Sequence, residues 1–105
     1  MGTSRRSGSN RSGGAFSEAT KLAVWNKAQI VPGIDPTRVR KDRCGALIAW
    51  LHYGELIKTG WEIDHIIAVA NGGSDDVSNL QPLQWQNNRS KGDSSPHQWS
   101  CSVIN

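Results

Sequence analysis

The chain has 105 residues, 36% of them hydrophobic, and a formal net charge of +3 from 12 Lys/Arg against nine Asp/Glu. That length fits one domain with a modest core. No apolar run approaches the roughly 20 residues that span a bilayer, and the N-terminus lacks the apolar middle of a secretory signal, so the expectation is a soluble, cytoplasmic protein without a membrane partner.

Residues 1–14, MGTSRRSGSNRSGG, carry Arg5, Arg6 and Arg11 and no acid, while residues 15–105 hold nine Lys/Arg and nine Asp/Glu. All the excess charge therefore sits on a Gly/Ser/Arg-rich tail, which is expected to be disordered. A tail of this kind adds salt-dependent attraction to phosphates or serves as a plain linker. The domain is expected over residues 15–105.

The stretch SEATKLAVWNKAQ predicts an amphipathic helix from about Ser17 to Gln29. Ser17 suits the N-cap, Glu18 the first turn, and Ala19, Leu22, Trp25 and Ala28 share one face. Pro32 and Gly33 end it. RVRKDRCG follows, where Arg38, Arg40, Lys41 and Arg43 form the one dense basic run of the body. Such a run is usually a solvated face, and it is also the natural candidate for phosphate contacts.

ALIAWL, residues 46–51, reads as a strand or a short buried helix, with the weight toward a strand. WEIDHIIAV, residues 61–69, predicts a strand in which Trp61, Ile63, Ile67 and Val69 share one parity. NGGSDDVSN is turn chemistry throughout, LQPLQ a short edge strand because of Pro82, and Trp85 to Lys91 a short helix closed by Gly92. Trp61 and Trp85 are expected to pack rather than stack on bases, and His97 and Trp99 to pack back on the domain. Cys44 and Cys101 lack paired zinc-ribbon spacing and read as free thiols in a reducing compartment, with a disulfide left open.

The polar residues of this second half are ordinary one at a time. An isolated Asp or His is usually a surface or satisfied group, and Asn79 and Asn88 alone would be turn or cap residues. Together they form an order: Asp64 and His65 on an apolar strand, a Gly-Gly loop, Asn79 at the return strand, then Asn88 and Lys91 on the following helix.

In IDHI, NGGSDD, SNLQPLQW and NNRSKGD the sequence resembles the HNH endonuclease family, whose motif runs Asp-His, a glycine-containing loop, Asn-Leu, then His or Asn ahead of a Lys. The likeness covers residues 61–93, and RKDRCG and YG upstream resemble the lead-in of bacterial and phage members. It implies an α+β fold with a ββα-metal core and an N-terminal helix. It also implies a metal-dependent endonuclease acting on DNA, with RNA still open, in a bacterial or phage-infected cell. Carried over, His65 is the general base, Asp64 and Asn88 ligate one divalent cation, and Asn79 holds the loop and orients His65. Asn88 stands where the most familiar pattern has a second histidine. The oxygen donors Asp64 and Asn88, with Asp93 as a further candidate, favour Mg²⁺ or Mn²⁺ over Zn²⁺ or Ni²⁺.

Phosphodiester hydrolysis asks for these groups on its own account. A neutral imidazole suits deprotonation of water near neutral pH, and a cation relieves the charge on the departing oxygen. Strand alternation turns Asp64 and His65 to opposite faces, so metal and attacking water are expected on opposite sides of the scissile phosphate. Arg89 and Lys91 join Arg38, Arg40, Lys41 and Arg43 as candidate phosphate contacts. Two other readings stand beside this one: a catalytically silent nucleic-acid-binding module, and a small zinc domain built on Cys44, Cys101 and a histidine such as His52 or His97. With a neutral body and no recognition helix, a specificity partner or a homodimer is expected.

Overall fold

In the computed structural model, which describes residues 7–104, the first helix (α1) runs from Glu18 to Trp25 and opens on Ser17, whose Oγ accepts the Thr20 N–H at 3.1 Å. It stops short of the expected Gln29. The carbonyls of Asn26 and Ala28, which helix continuation would direct along the axis, each accept from the Arg40 guanidinium at 3.2 Å, and Gln29 pairs through its backbone with Lys41. Only the C-terminal part of the helix docks, with Val24 and Trp25 buried and Ala28 buried just beyond it. Ala19 and Leu22, expected on the inward face, are exposed.

Strands β1 (Val39–Lys41) and β2 (Leu47–Ala49) form an antiparallel hairpin with Arg40 opposite Ile48. ALIAWL is therefore a strand only to Ala49, and Trp50–His52 make a 3-10 turn. The hairpin turn is built on Asp42, whose Oδ1 accepts the N–H groups of Cys44 and Ala46, both at 2.9 Å. Gly45 takes the positive φ of 86° that this tight reversal needs.

Strands β3 (Trp61–His65) and β4 (Leu80–Gln84) form a second antiparallel pair, from Trp61 opposite Gln84 to His65 opposite Leu80. Strand β3 ends at His65 rather than Val69, because the Asn79 side chain takes over from the ladder: its Oδ1 accepts the Ile67 N–H at 2.9 Å. Ile67, expected in the core, is 49% exposed. Pro82 fits β4 because a two-stranded sheet leaves one edge of each strand unpaired. Helix α2 (Trp85–Lys91) follows without a break, capped by Gln84 Oε1 and ended at Gly92, whose φ is 51°. The result is a small α+β domain with a ββα core.

Trp25 and Trp61 are the centre of the hydrophobic core, their rings 5.2 Å apart, with Ile48, Ile63 and Leu80 around them. Trp61 is thus a packing residue, as expected. Trp99 is half-buried under the Arg43 guanidinium, while His97 is exposed.

Cys44 and Cys101 are joined in a disulfide, not free. This corrects the free-thiol reading and removes its argument for a reducing compartment. It also removes the zinc domain, since neither sulfur remains as a ligand, and the His52 ring is bonded to the Thr59 hydroxyl. Of the tail expected to be disordered, residues 1–6 lie outside the described residues. Residues 7–14 form turns around Asn10, whose Oδ1 accepts the N–H groups of Ser12 and Gly14. Among the described residues no helix is long and apolar enough to cross a membrane.

Candidate active site

The site is assembled by Asn79. Besides accepting the Ile67 N–H, its Nδ2 donates to the carbonyls of Ile67 (3.1 Å) and Ser74 (2.9 Å), and its own carbonyl accepts the Ile66 N–H at 2.8 Å. One amide thus ties both ends of the loop between β3 and β4. Gly73 makes this closure physically achievable, because a Cβ there would lie 1.7 Å from the Ile67 carbonyl oxygen.

At the end of β3, alternation sends Asp64 and His65 to different partners. The His65 ring is 2% exposed and lies against Phe16, with Nε2 2.8 Å from Asp75 Oδ1 and Nδ1 buried without a partner. Asp64 turns toward β4 and α2, where Gln81 Nε2 donates to Oδ2 at 2.8 Å and Lys91 Nζ lies 3.4 Å from the same oxygen. Burial pushes the Asp64 carboxyl above its ordinary range, opposed by the Gln81 hydrogen bond and the Lys91 charge.

Helix α2 presents Asn88 and Lys91, one turn apart, to the Glu62 and Asp64 side of β3. Asn88 Nδ2 donates to Glu62 Oε1 at 2.9 Å, and Arg89 Nη2 lies 3.1 Å from Glu62 Oε2. With its NH₂ committed to Glu62, Asn88 keeps Oδ1 for another partner. Asp64, His65, Asn88, Gly92 and Asp93 line a single cavity of about 150 Å³, together with Ser7 and Gly8.

The cation candidates separate on inspection. Lys91 is buried and donates to the His65 carbonyl at 2.8 Å, so it belongs to the internal structure rather than to a phosphate contact. Arg40 is likewise engaged with the carbonyls of Pro36, Asn26 and Ala28. Arg38 and Arg43 are exposed, and Arg89 is 45% exposed at its side chain despite its pairing with Glu62. Lys41 and Arg43, with Lys27, line a second cavity of about 190 Å³ that also includes Gln81, the partner of Asp64.

Glu62, Asp75 and Asp42 were missed at the level of sequence. For Glu62 a signal existed, since it shares the parity of Asp64 on the strand. For Asp75 the only hint was its place in the GGSDD loop. Among the described residues no group of three or more His, Cys, Asp or Glu side chains could hold a metal ion, so any cation here relies on few protein donors.

In a comparison with known families, residues 42–94 fit the family model described as HNH endonuclease. No curated protein and no solved structure matches the chain.

Proposed function

The chain belongs to the HNH endonuclease family, and from that premise we propose that it is a metal-dependent nuclease that hydrolyses DNA phosphodiester bonds with His65 as general base. The observation that carries this reading is the convergence of Asp64, His65 and Asn88, from a strand and a helix, on one cavity.

The donor set fits a hard divalent cation. Asp64 is a buried carboxyl whose desolvation Lys91 and Gln81 offset only in part, so a cation beside it would favour the ionised form, and Asn88 has its amide oxygen available. Asp64 and Asn88 would hold the cation through oxygen atoms, with Asp93 as a neighbouring candidate, a donor set that suits Mg²⁺ or Mn²⁺. When bound, the cation supplies charge relief to the leaving oxygen. The chain's own residues do the rest. His65 takes the proton of the attacking water, Asn79 fixes the loop beside it, and Lys91 holds the His65 carbonyl and steadies the end of β3. Lys41 and Arg43, which share a cavity with Gln81, form the path by which the nucleic-acid backbone approaches the Asp64 side.

Plasmid nicking with and without chelator tests this. The expected result is nicking that requires added Mg²⁺ or Mn²⁺ and falls at least about 100-fold in His65→Ala while DNA binding persists. Asn88→Ala is expected to weaken Mn²⁺ binding in a titration without substrate. Undiminished nicking by His65→Ala, or by the wild-type protein in chelator, would overturn the assignment. An RNA substrate in parallel distinguishes the two nucleic acids.

A further inference from the structure

His65 has an unusual pair of surroundings for a buried histidine. One ring nitrogen, Nε2, is 2.8 Å from a carboxylate oxygen of Asp75, and the other, Nδ1, is buried with no hydrogen-bond partner. Buried polar atoms are nearly always paired, so an orphaned one asks for a partner that arrives later. A carboxylate can only accept, so the hydrogen between Asp75 and His65 belongs to Nε2. In the neutral ring this leaves the lone pair on Nδ1.

Asp75 is itself held in place. The Arg11 backbone N–H donates to both its oxygens, at 3.0 and 3.2 Å, and the preceding residue, Ser74, is anchored by Asn79 through its carbonyl. The carboxylate is thus clamped between the N-terminal segment and the loop. Its neighbour Asp76 instead accepts from the Ser74 hydroxyl.

We propose that Asp75 is a positioning residue that holds His65 in the Nε2–H tautomer and so presents Nδ1 as the basic atom to the attacking water. This deepens the nuclease reading and rests on it. In the step, the water loses a proton to Nδ1 as its oxygen adds to phosphorus. The P–O bond to the leaving sugar oxygen breaks with its electron pair on that oxygen. The Nε2 proton stays where it is, and the Asp75 carboxylate stabilises the imidazolium that forms.

Two readouts on the full chain test it. Long-range ¹H–¹⁵N spectra of the metal-free protein, above the titration range of the ring, report the tautomer of His65, with His52 and His97 assigned by substitution. The wild-type protein is expected to show the Nε2–H form, and Asp75→Ala a mixture. In nicking, Asp75→Ala and the isosteric Asp75→Asn are expected to lower kcat about 10- to 100-fold with KM for plasmid within about twofold of wild type, the range typical of a partner that orients a functional histidine. Asp75→Glu should recover part of the loss, and Asp76→Ala should change neither readout. If Asp75→Ala fails to fold, Asp75→Asn and the wild-type spectrum carry the test. An Nδ1–H form in the wild type, or Asp75→Asn turning over within about twofold of wild type, overturns the proposal. Absence of nicking by the wild type would instead remove the nuclease reading, while the spectra still report whether Asp75 sets the tautomer.

Discussion

Asp42 is fully buried, and its carboxylate accepts four hydrogen bonds. Oδ1 takes the two N–H groups of the hairpin turn, while Oδ2 takes the Gln84 N–H at 2.9 Å and Asn87 Nδ2 at 3.0 Å. One side chain therefore joins the β1–β2 turn to the junction where β4 becomes α2. Asn87 extends the connection, its Oδ1 accepting the N–H groups of Ser102 and Val103. Asp42→Ala strands these donors in the interior and is expected to cost about 3–5 kcal/mol, read as a lowered urea midpoint. The sequence does not announce this role, because two of the partners lie 42 and 45 positions away. Asp64 and His65 were legible for the opposite reason: a carboxylate and an imidazole inside a short apolar strand are anomalous without any knowledge of tertiary neighbours. Glu62 and Asp75 sit in contexts where acids are common, and only the folded arrangement gives them partners.

The segment from Ile66 to Asn79 fixes the orientation of the site, and its shape depends on backbone approach as much as on side chains. At Gly73 an added methyl would meet the Ile67 carbonyl oxygen at 1.7 Å and Asn79 Nδ2 at 2.9 Å, so the loop must open to admit it. Gly73→Ala is expected to lose about 2–3 kcal/mol of stability and a larger share of nicking than that loss alone explains, measured by thermal unfolding alongside rates below the transition. The strand, loop, strand, helix order of this half was readable from apolar runs bounded by turn residues. Element ends were less so. Strand β3 stops where the Asn79 side chain replaces the ladder, and α1 stops where Arg40 captures the carbonyls of Asn26 and Ala28 that follow it. Both endings are set by residues distant in sequence, which local periodicity does not register.

Across the whole molecule, charge and connectivity are unevenly distributed. The net +3 resides in Arg5, Arg6 and Arg11, ahead of a body whose charges balance. Replacing all three by Ser keeps the Arg11 backbone contact to Asp75 and removes only the cations. DNA binding should then show a shallower dependence on log salt, by up to about 2.7 if each arginine neutralises one phosphate. An unchanged slope would mean that Lys41, Arg43 and Arg38 supply the attraction alone.

The Cys44–Cys101 disulfide closes a loop with a sequence separation of 57 that contains β2, β3, β4 and α2. Chain-entropy arguments put the stabilisation from a loop of that size at about 4 kcal/mol, acting through the unfolded state. It has a topological effect as well. Between the two cysteines the polypeptide is a covalently closed ring with two tails, so a single peptide-bond cleavage inside it converts the ring to a linear strap without releasing either half. The residues from Asp64 to Asp93 therefore stay on one connected molecule after one proteolytic cut, and separate only when the sulfur bridge is also reduced.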